Sequence, residues 1–298
     1  MSAVLLDKVF KTYKRSWGRK AFAAVMDVSF TIAEGEAFGF IGANGAGKST
    51  TIKMLTGALL PTAGRLEMFG RSVSDPQSRL GLGYVPENPS LPELLTPLEI
   101  LRMGLNLHGV RVADPRRHCL EWLEKFNLEQ VATKPIRTFS KGMTQRVALA
   151  HAMAIKPRLL ILDEPLSGLD PIGRKDVVDI LDEYHRAGGT LFFSSHVLHD
   201  VERLANRYAL IHQGHLRAVR SPVELIDDND AVTVRSRGTE AVTGMIEESP
   251  GIWTAHVSRD QLWLLTQQLQ AAGHLLIEVK PTISLESVFL KIISETSG

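Results

Sequence analysis

The 298-residue chain has one cysteine, Cys119, so no disulfide forms within it and the fold must rest on a buried core rather than on cross-links. A lone thiol fits a reducing compartment. Its neighbours, His118 and Leu120 with Leu123 and Phe126 at helical spacing, make it a small core hydrophobe rather than a reactive group. No run of 18 apolar residues occurs, so if the protein works at a membrane, another chain must cross it. The opening MSAVLLDKVF carries Asp7 and Lys8 inside its short apolar run, unlike a secretory leader. Excess charge of either sign is also missing: 34 Lys+Arg face 33 Asp+Glu, a net of +1, and no nucleic-acid partner is expected. The basic stretch KTYKRSWGRK is short enough to be a solvated loop. Repeats and low-complexity tracts are lacking too. The length does permit about two domains with a full core.

What is present centres on GANGAGKST, Gly42 to Thr50. It fits the phosphate-loop pattern G-x-x-x-x-G-K-[ST], with Gly42, Gly47, Lys48 and Ser49 in the fixed places. The apolar run Ala37 to Ile41 precedes it as a strand, and Ser49 to Leu55 follows as a helix, which is the context the motif requires. Backbone N–H groups of such a loop, here including Asn44, Gly45 and Thr50, curl round phosphate, and the helix N-terminus adds a positive dipole end. Lys48 then reaches the outer phosphates and the Ser49 hydroxyl offers oxygen to Mg²⁺.

Taken in order, Val4 to Phe10 reads as an edge strand and Val28 to Ile32 as a second strand. Beyond the loop, short strands fall at Leu66 to Phe69 and Leu82 to Val85. Helical patterns then run over Pro97 to Leu107, Pro115 to Asn127, and from a cap at Ser140 to Met153. Strands return at Leu159 to Leu162 and Thr190 to Phe193, around a helix over Pro171 to Arg186. Strands alternating with helices imply a largely parallel sheet. Tyr208 to His212 and Leu216 to Val219 make a plausible hairpin. IDDND, Ile226 to Asp230, has the crowded acids of a solvated linker and lacks the offsets of a Ca²⁺ loop. The rest is a smaller unit with strands at Val232 to Val234 and Leu275 to Val279 and helical stretches between them.

A triphosphate site needs a metal holder opposite the loop. RLLILDEP supplies Asp163 just after an apolar strand, and the adjacent Glu164 is placed to orient and deprotonate water. FFSSH ends in His196 at the tip of another apolar strand, where it can hydrogen-bond a γ-phosphate oxygen while a neighbour holds its other nitrogen. A metal pair with His199 is less favoured, because no third ligand is evident.

The order GANGAGKST, YVPE, FSKGMTQR, LLILDEPLSGLDP and SSH resembles the ATP-binding subunit of ABC transporters over about residues 1–220. The resemblance implies an α/β P-loop NTPase core with a mostly parallel sheet, an N-terminal antiparallel β subdomain and an inserted α-helical subdomain at about 87–156. These form an ATPase domain over 1–222, and a small C-terminal α+β accessory domain over 223–298 follows. ATP and Mg²⁺ are the implied cofactors, with ATP hydrolysis as the activity. FSKGM matches the signature motif, in which Ser140 and Gly142 bind the γ-phosphate of ATP held by a second copy in a head-to-tail dimer; Lys141 and Met143 depart from the commoner Gly and Gln. Tyr13 matches the aromatic that stacks on adenine, with Trp17 and Phe10 as alternatives. Asp170 corresponds to the aspartate that couples the two sites. Glu87 stands where most of the superfamily has Gln; it can still ligate Mg²⁺ but cannot donate a hydrogen bond. The implied partner is an integral membrane permease, with this chain peripheral on the cytoplasmic face of the cell membrane. ISLESVFLKI, Ile283 to Ile292, looks like the tail of export-type members. The alternative is a soluble ATPase of the same superfamily acting on ribosomes or DNA; the chain lacks the paired ATPase domains, coiled coils and zinc motifs usual there.

Overall fold

The computed structural model describes residues 2–14, 21–221, 224 and 231–281. The chain divides into two compact units, Met1–Val219 and Arg220–Gly298. The first unit is built on a ten-stranded sheet in the order β5-β4-β1-β2-β10-β9-β3-β8-β7-β6. Its antiparallel end consists of β1 (Ser2–Tyr13), β2 (Phe22–Ala33), β4 (Ala63–Met68) and β5 (Arg71–Ser72). Its parallel end consists of β3 (Ala37–Ile41), β6 (Leu82–Val85), β7 (Leu159–Leu162), β8 (Thr190–Ser195) and β9 (Arg207–His212). Between them β10 (His215–Arg220) runs beside both β9 and β2, pairing with the latter at His215 and Met26.

One expectation needs correcting. β1 is not an edge strand, because β4 and β2 flank it on both sides and Val4, Leu6 and Val9 are buried between them. It also runs on through Lys11 and Thr12 to Tyr13, so the start of the basic stretch is strand rather than loop. The apolar runs of β3 and β7 are buried at every position, as parallel strands covered on both faces must be. Stacked rings of Phe30 and Phe38, 5.1 Å apart, with Phe40 and Phe192, fill the core beside β3 and β8.

The helices follow their local signals closely. α1 (Lys48–Leu55) leaves the glycine-rich loop. α2 (Pro97–Leu107) starts at a reciprocal capping box between Thr96 and Glu99 with Pro at its first position. α3 (Pro115–Lys125) is capped by Asp114, α4 (Lys141–Ala154) by Ser140 and α5 (Pro171–Arg186) by Asp170. The short α6 (Leu198–Leu204) follows β8. Cys119 is buried in α3.

The second unit is a four-stranded antiparallel sheet in the order β12-β13-β11-β14, from β11 (Ala231–Arg237), β12 (Ile246–Ser249), β13 (Ile252–Ser258) and β14 (Leu275–Pro281). α7 (Arg259–Ala271) buries Leu265 and Leu269 in a cluster with Val232, Val234 and Ala255. The β12–β13 hairpin occupies sequence expected to be helical; β12 is four residues long and exposed throughout and β13 is mostly half-buried, so alternation gives little contrast. Ile226 to Asp230 and Ile283 to Ile292 lie outside the described residues. Among the described residues no helix is long and apolar enough to cross a membrane.

Candidate active site

The parallel topology brings the carboxyl ends of β3, β7 and β8 side by side, the edge where open α/β sheets bind ligands. β3 delivers the loop at Gly42. A Cβ there would lie 2.5 Å from the Ile211 carbonyl oxygen, and one at Gly47, whose φ is +112°, would lie 2.6 Å from that of Ala24. The loop is therefore pressed against β9 and β2, and only glycine fits. The first turn of α1 contains no acidic residue, and its cap, Gly47, has no side chain, so its amide groups are left for an external acceptor.

Lys48 is 6% exposed. Its Nζ donates to the Gly42 carbonyl at 2.7 Å and stands 3.2 Å from Glu164 Oε1. Glu164 is buried just past β7. Its Oε2 accepts from His196 Nδ1 at 2.8 Å, with the His196 amide at 3.4 Å. That leaves Nε2 as the nitrogen not engaged by Glu164. Oε1 is buried and, apart from the ion-pair contact with Lys48, has no hydrogen-bond donor.

Asp163, also buried, accepts from Ser194 Oγ at 2.7 Å, and the same Oγ accepts the Glu164 amide at 2.9 Å. Ser194 thus orients both acidic positions. Sequence reasoning passed it over; the signal was a small polar residue inside the apolar run of FFSSH. Burial, and then the Asp163 charge, push the Tyr84 phenol up.

Asn44, Gly45, Gly47, Lys48, Ser49, Thr50, Glu87, Glu164 and His196 line one cavity of about 440 Å³. Two further lining residues, Phe22 and Ala24 on β2, were not foreseen. Phe22 faces Tyr13 across the β1–β2 pair. Tyr13 does not line the cavity but its hydroxyl is 3.5 Å from Thr50 Oγ1, and the Lys11 ammonium lies 5.6 Å from its ring centroid. Phe10 is exposed and pairs with Ala63 of β4; Trp17 lies outside the described residues.

Ser140, Gly142 and Asp170 are not brought to this cavity. Ser140 accepts the Met143 amide at 3.3 Å, and Asp170 accepts the Gly173 amide at 3.3 Å and faces Arg146 at 3.4 Å. A Cβ at Gly142 would sit 3.4 Å from the Gly168 carbonyl oxygen. A slightly larger cavity of about 480 Å³ lies elsewhere in the first unit, beside Trp122 and Tyr184, and contains none of the expected site residues.

Open amides at a helix start, a buried lysine and paired carboxylates fit a nucleoside triphosphate with its metal. Among the described residues no cluster of three or more His, Cys, Asp or Glu could hold a metal by itself. Mg²⁺ takes few protein ligands and keeps phosphate oxygens and water. Ser49 and Glu87 line the cavity and could supply such ligands, whereas Asp163 does not line it and its Oδ1 already accepts from Ser194. Fold and site together define a P-loop nucleoside triphosphatase.

A family model described as ABC transporter matches residues 25–167. An uncharacterized ABC transporter ATP-binding protein of Nostoc sp. is 32% identical over 303 residues, covering 99% of this chain and 90% of that protein. The Nod factor export ATP-binding protein I of Rhizobium sp. is 33% identical, covering 98% of each. Among solved structures, the ATP-binding subunit of an ABC transporter superposes with a TM-score of 0.69 at 31% identity, over 76% of this chain and 92% of that one. A dimeric ATP-binding cassette in a post-hydrolysis state with ADP and Pi gives a TM-score of 0.68 at 26% identity, over 73% and 98%. The chain belongs to the ATP-binding proteins of ABC transporters. It is an ATP-binding, ATP-hydrolysing transporter subunit with ATP and Mg²⁺ as cofactors, and these relatives give no support to the ribosome or DNA alternative.

Proposed function

We propose that two copies of this chain close head to tail around two MgATP and drive export through a separate integral membrane permease, working from the cytoplasmic face of the membrane. The observation that carries the dimer is the separation of the site's parts. Lys48, Glu164 and His196 meet at one cavity, whereas Ser140, Gly142 and Asp170, with their helix starts, lie away from it and at least partly exposed. Exposed helix N-termini can serve an anion held by another copy. Dimeric cassettes among the solved structures support a dimer.

Export rests on relatives whose names specify Nod factor export, linearmycin resistance and lantibiotic transport. In this reading Lys48 binds the outer phosphates, and Ser49, Asp163 and Glu87 would hold Mg²⁺, which would supply positive charge beside the phosphates. Glu164 orients the attacking water and takes its proton, and His196 hydrogen-bonds the γ-phosphate end. Tyr13 or Phe22 carries the adenine. In this reading the C-terminal unit, expected over 223–298, serves as an accessory to the ATPase domain expected over 1–222. Hydrolysis per subunit measured across a dilution series tests the dimer: the specific rate should fall as protein is diluted. A rate per subunit that stays constant to low nanomolar protein refutes it.

A further inference from the structure

His196 has a half-exposed side chain, so its aim at Glu164 depends on the backbone that carries it. α6 starts two residues later and is capped by no side chain among the described residues; something other than its own end must hold it. Two ion pairs tie it to α5: Asp200 Oδ2 to Arg174 Nη1 at 3.7 Å, and Asp179 Oδ1 to Arg203 Nη2 at 3.5 Å. They differ in setting. The second has 41% and 57% exposed side chains and, like most surface pairs, contributes little. Asp200, by contrast, has a side chain 6% exposed, with Arg174 as its partner. A buried carboxylate is costly unless paired, so this contact constrains where α6 can sit.

Below the His196 turn is a void of about 20 Å³, bounded by Glu164, Ser194, His196, Arg174 and Asp200. It is large enough for one water. Asp200 and His196 thus share one small void with Glu164 and Arg174. Burial raises the Asp200 carboxyl, and the Arg174 guanidinium pulls it part of the way back, together with His199, Arg203 and His196.

We infer that Asp200 and Arg174 form a positioning pair that holds His196 on Glu164, by fixing α6 against the first turn of α5. The inference rests on the reading of Glu164 and His196 as the hydrolytic pair. Because α5 begins at Asp170, and the Arg174 amide donates to the Asp170 carbonyl at 2.8 Å, the pair also ties the His196 loop to the surface assigned to the second copy.

The test compares ATP hydrolysis and binding of a fluorescent ATP analogue in Asp200→Asn, Arg174→Gln, His196→Ala and the Asp200→Asn/His196→Ala double variant. Asp200→Asn and Arg174→Gln should each lower kcat by about 10- to 100-fold, the scale on which remote misplacement acts, with KM and analogue affinity within about twofold. Asp200→Glu should restore much of kcat. The double variant should be no slower than His196→Ala alone, since one removes what the other aims. Unchanged kcat in Arg174→Gln, a loss confined to KM, or losses that multiply in the double variant overturn the inference while leaving the site reading intact. Near-normal hydrolysis in His196→Ala overturns the site reading and the inference with it. Should Asp200→Asn fail to fold, Arg174→Gln, on a side chain 37% exposed, and its combination with His196→Ala carry the same comparison.

Discussion

Glu164→Gln should do two opposite things at once, and the structure sets the scale of both. The substitution keeps the shape that accepts from His196 and fills the space by Lys48, but removes the proton acceptor and one negative charge. At an effective dielectric of about 20, unit charges at the 3.2 Å separating Lys48 Nζ and Glu164 Oε1 attract by about 5 kcal/mol. The desolvation of two buried groups offsets much of that. Phosphate entering the loop must draw Lys48 away from the carboxylate, and in the wild type that cost is charged against ATP binding. If about 1.4 kcal/mol of the attraction survives as net cost, the variant binds ATP about tenfold more tightly. Loss of the base lowers turnover by roughly 10²–10⁴-fold. Calorimetric titration of MgATP into both proteins gives the first quantity, and single-turnover phosphate release gives the second. The combination should also trap an ATP-bound dimer, visible by size exclusion. Turnover within about threefold of wild type places the base elsewhere, and weaker ATP binding refutes the account of the Lys48 contact.

Tyr13→Ala should raise the Kd for ATP by about tenfold, from base stacking of roughly 1–3 kcal/mol, while inorganic tripolyphosphate binds as before. If Phe22→Ala gives that result instead, the stacking ring is on β2. If Glu87, which lines the nucleotide cavity, links bound nucleotide to the permease, Glu87→Ala should lower the ATPase rate coupled to transport in permease-containing vesicles, and an unchanged coupled rate refutes that link. Burial raises the Cys119 thiol to about 11 from an ordinary 9.0, so iodoacetamide at pH 8 should alkylate it only on unfolding. The sign of its pH dependence follows: between those values the unfolded chain has lost the proton that the folded chain keeps. Its stabilising contribution is therefore complete below about pH 9 and declines toward about 11. Urea unfolding of Cys119→Ala should show a shallower decline over that window than wild type.

The parts of this protein legible in sequence are those whose physics is local. Pro97, Pro115 and Pro171 stand at helix starts behind Thr96, Asp114 and Asp170, and each helix begins where those residues place it. Strands buried on both faces, such as Leu159–Leu162, announce themselves as unbroken apolar runs. What escaped depends on partners distant in sequence. The interior place of β1 depends on β4, more than fifty residues away. Phe22 reaches the cavity only because β2 pairs with β1 around Tyr13. Ser194 gains its role from Asp163 and Glu164 on a neighbouring strand, and nothing within FFSSH says which carboxylate its hydroxyl meets.

The backbone at Glu164 shows why those distant partners matter. Among the described residues seven non-glycine residues have positive φ, and Glu164, at φ 50°, is the one of them that is buried. The others are partly or fully exposed. A left-handed glutamate costs on the order of 1 kcal/mol or more, and a glycine would relieve it. It persists here because surrounding contacts over-determine it: Ser194 Oγ takes its amide, His196 holds one carboxylate oxygen and Lys48 stands by the other. Each contact comes from a different element, β8, the loop after it and the start of α1. The strained turn is therefore held from three elements at once. That makes the aim of Glu164 a report on the assembly of the whole site, which a glycine at this position could not provide.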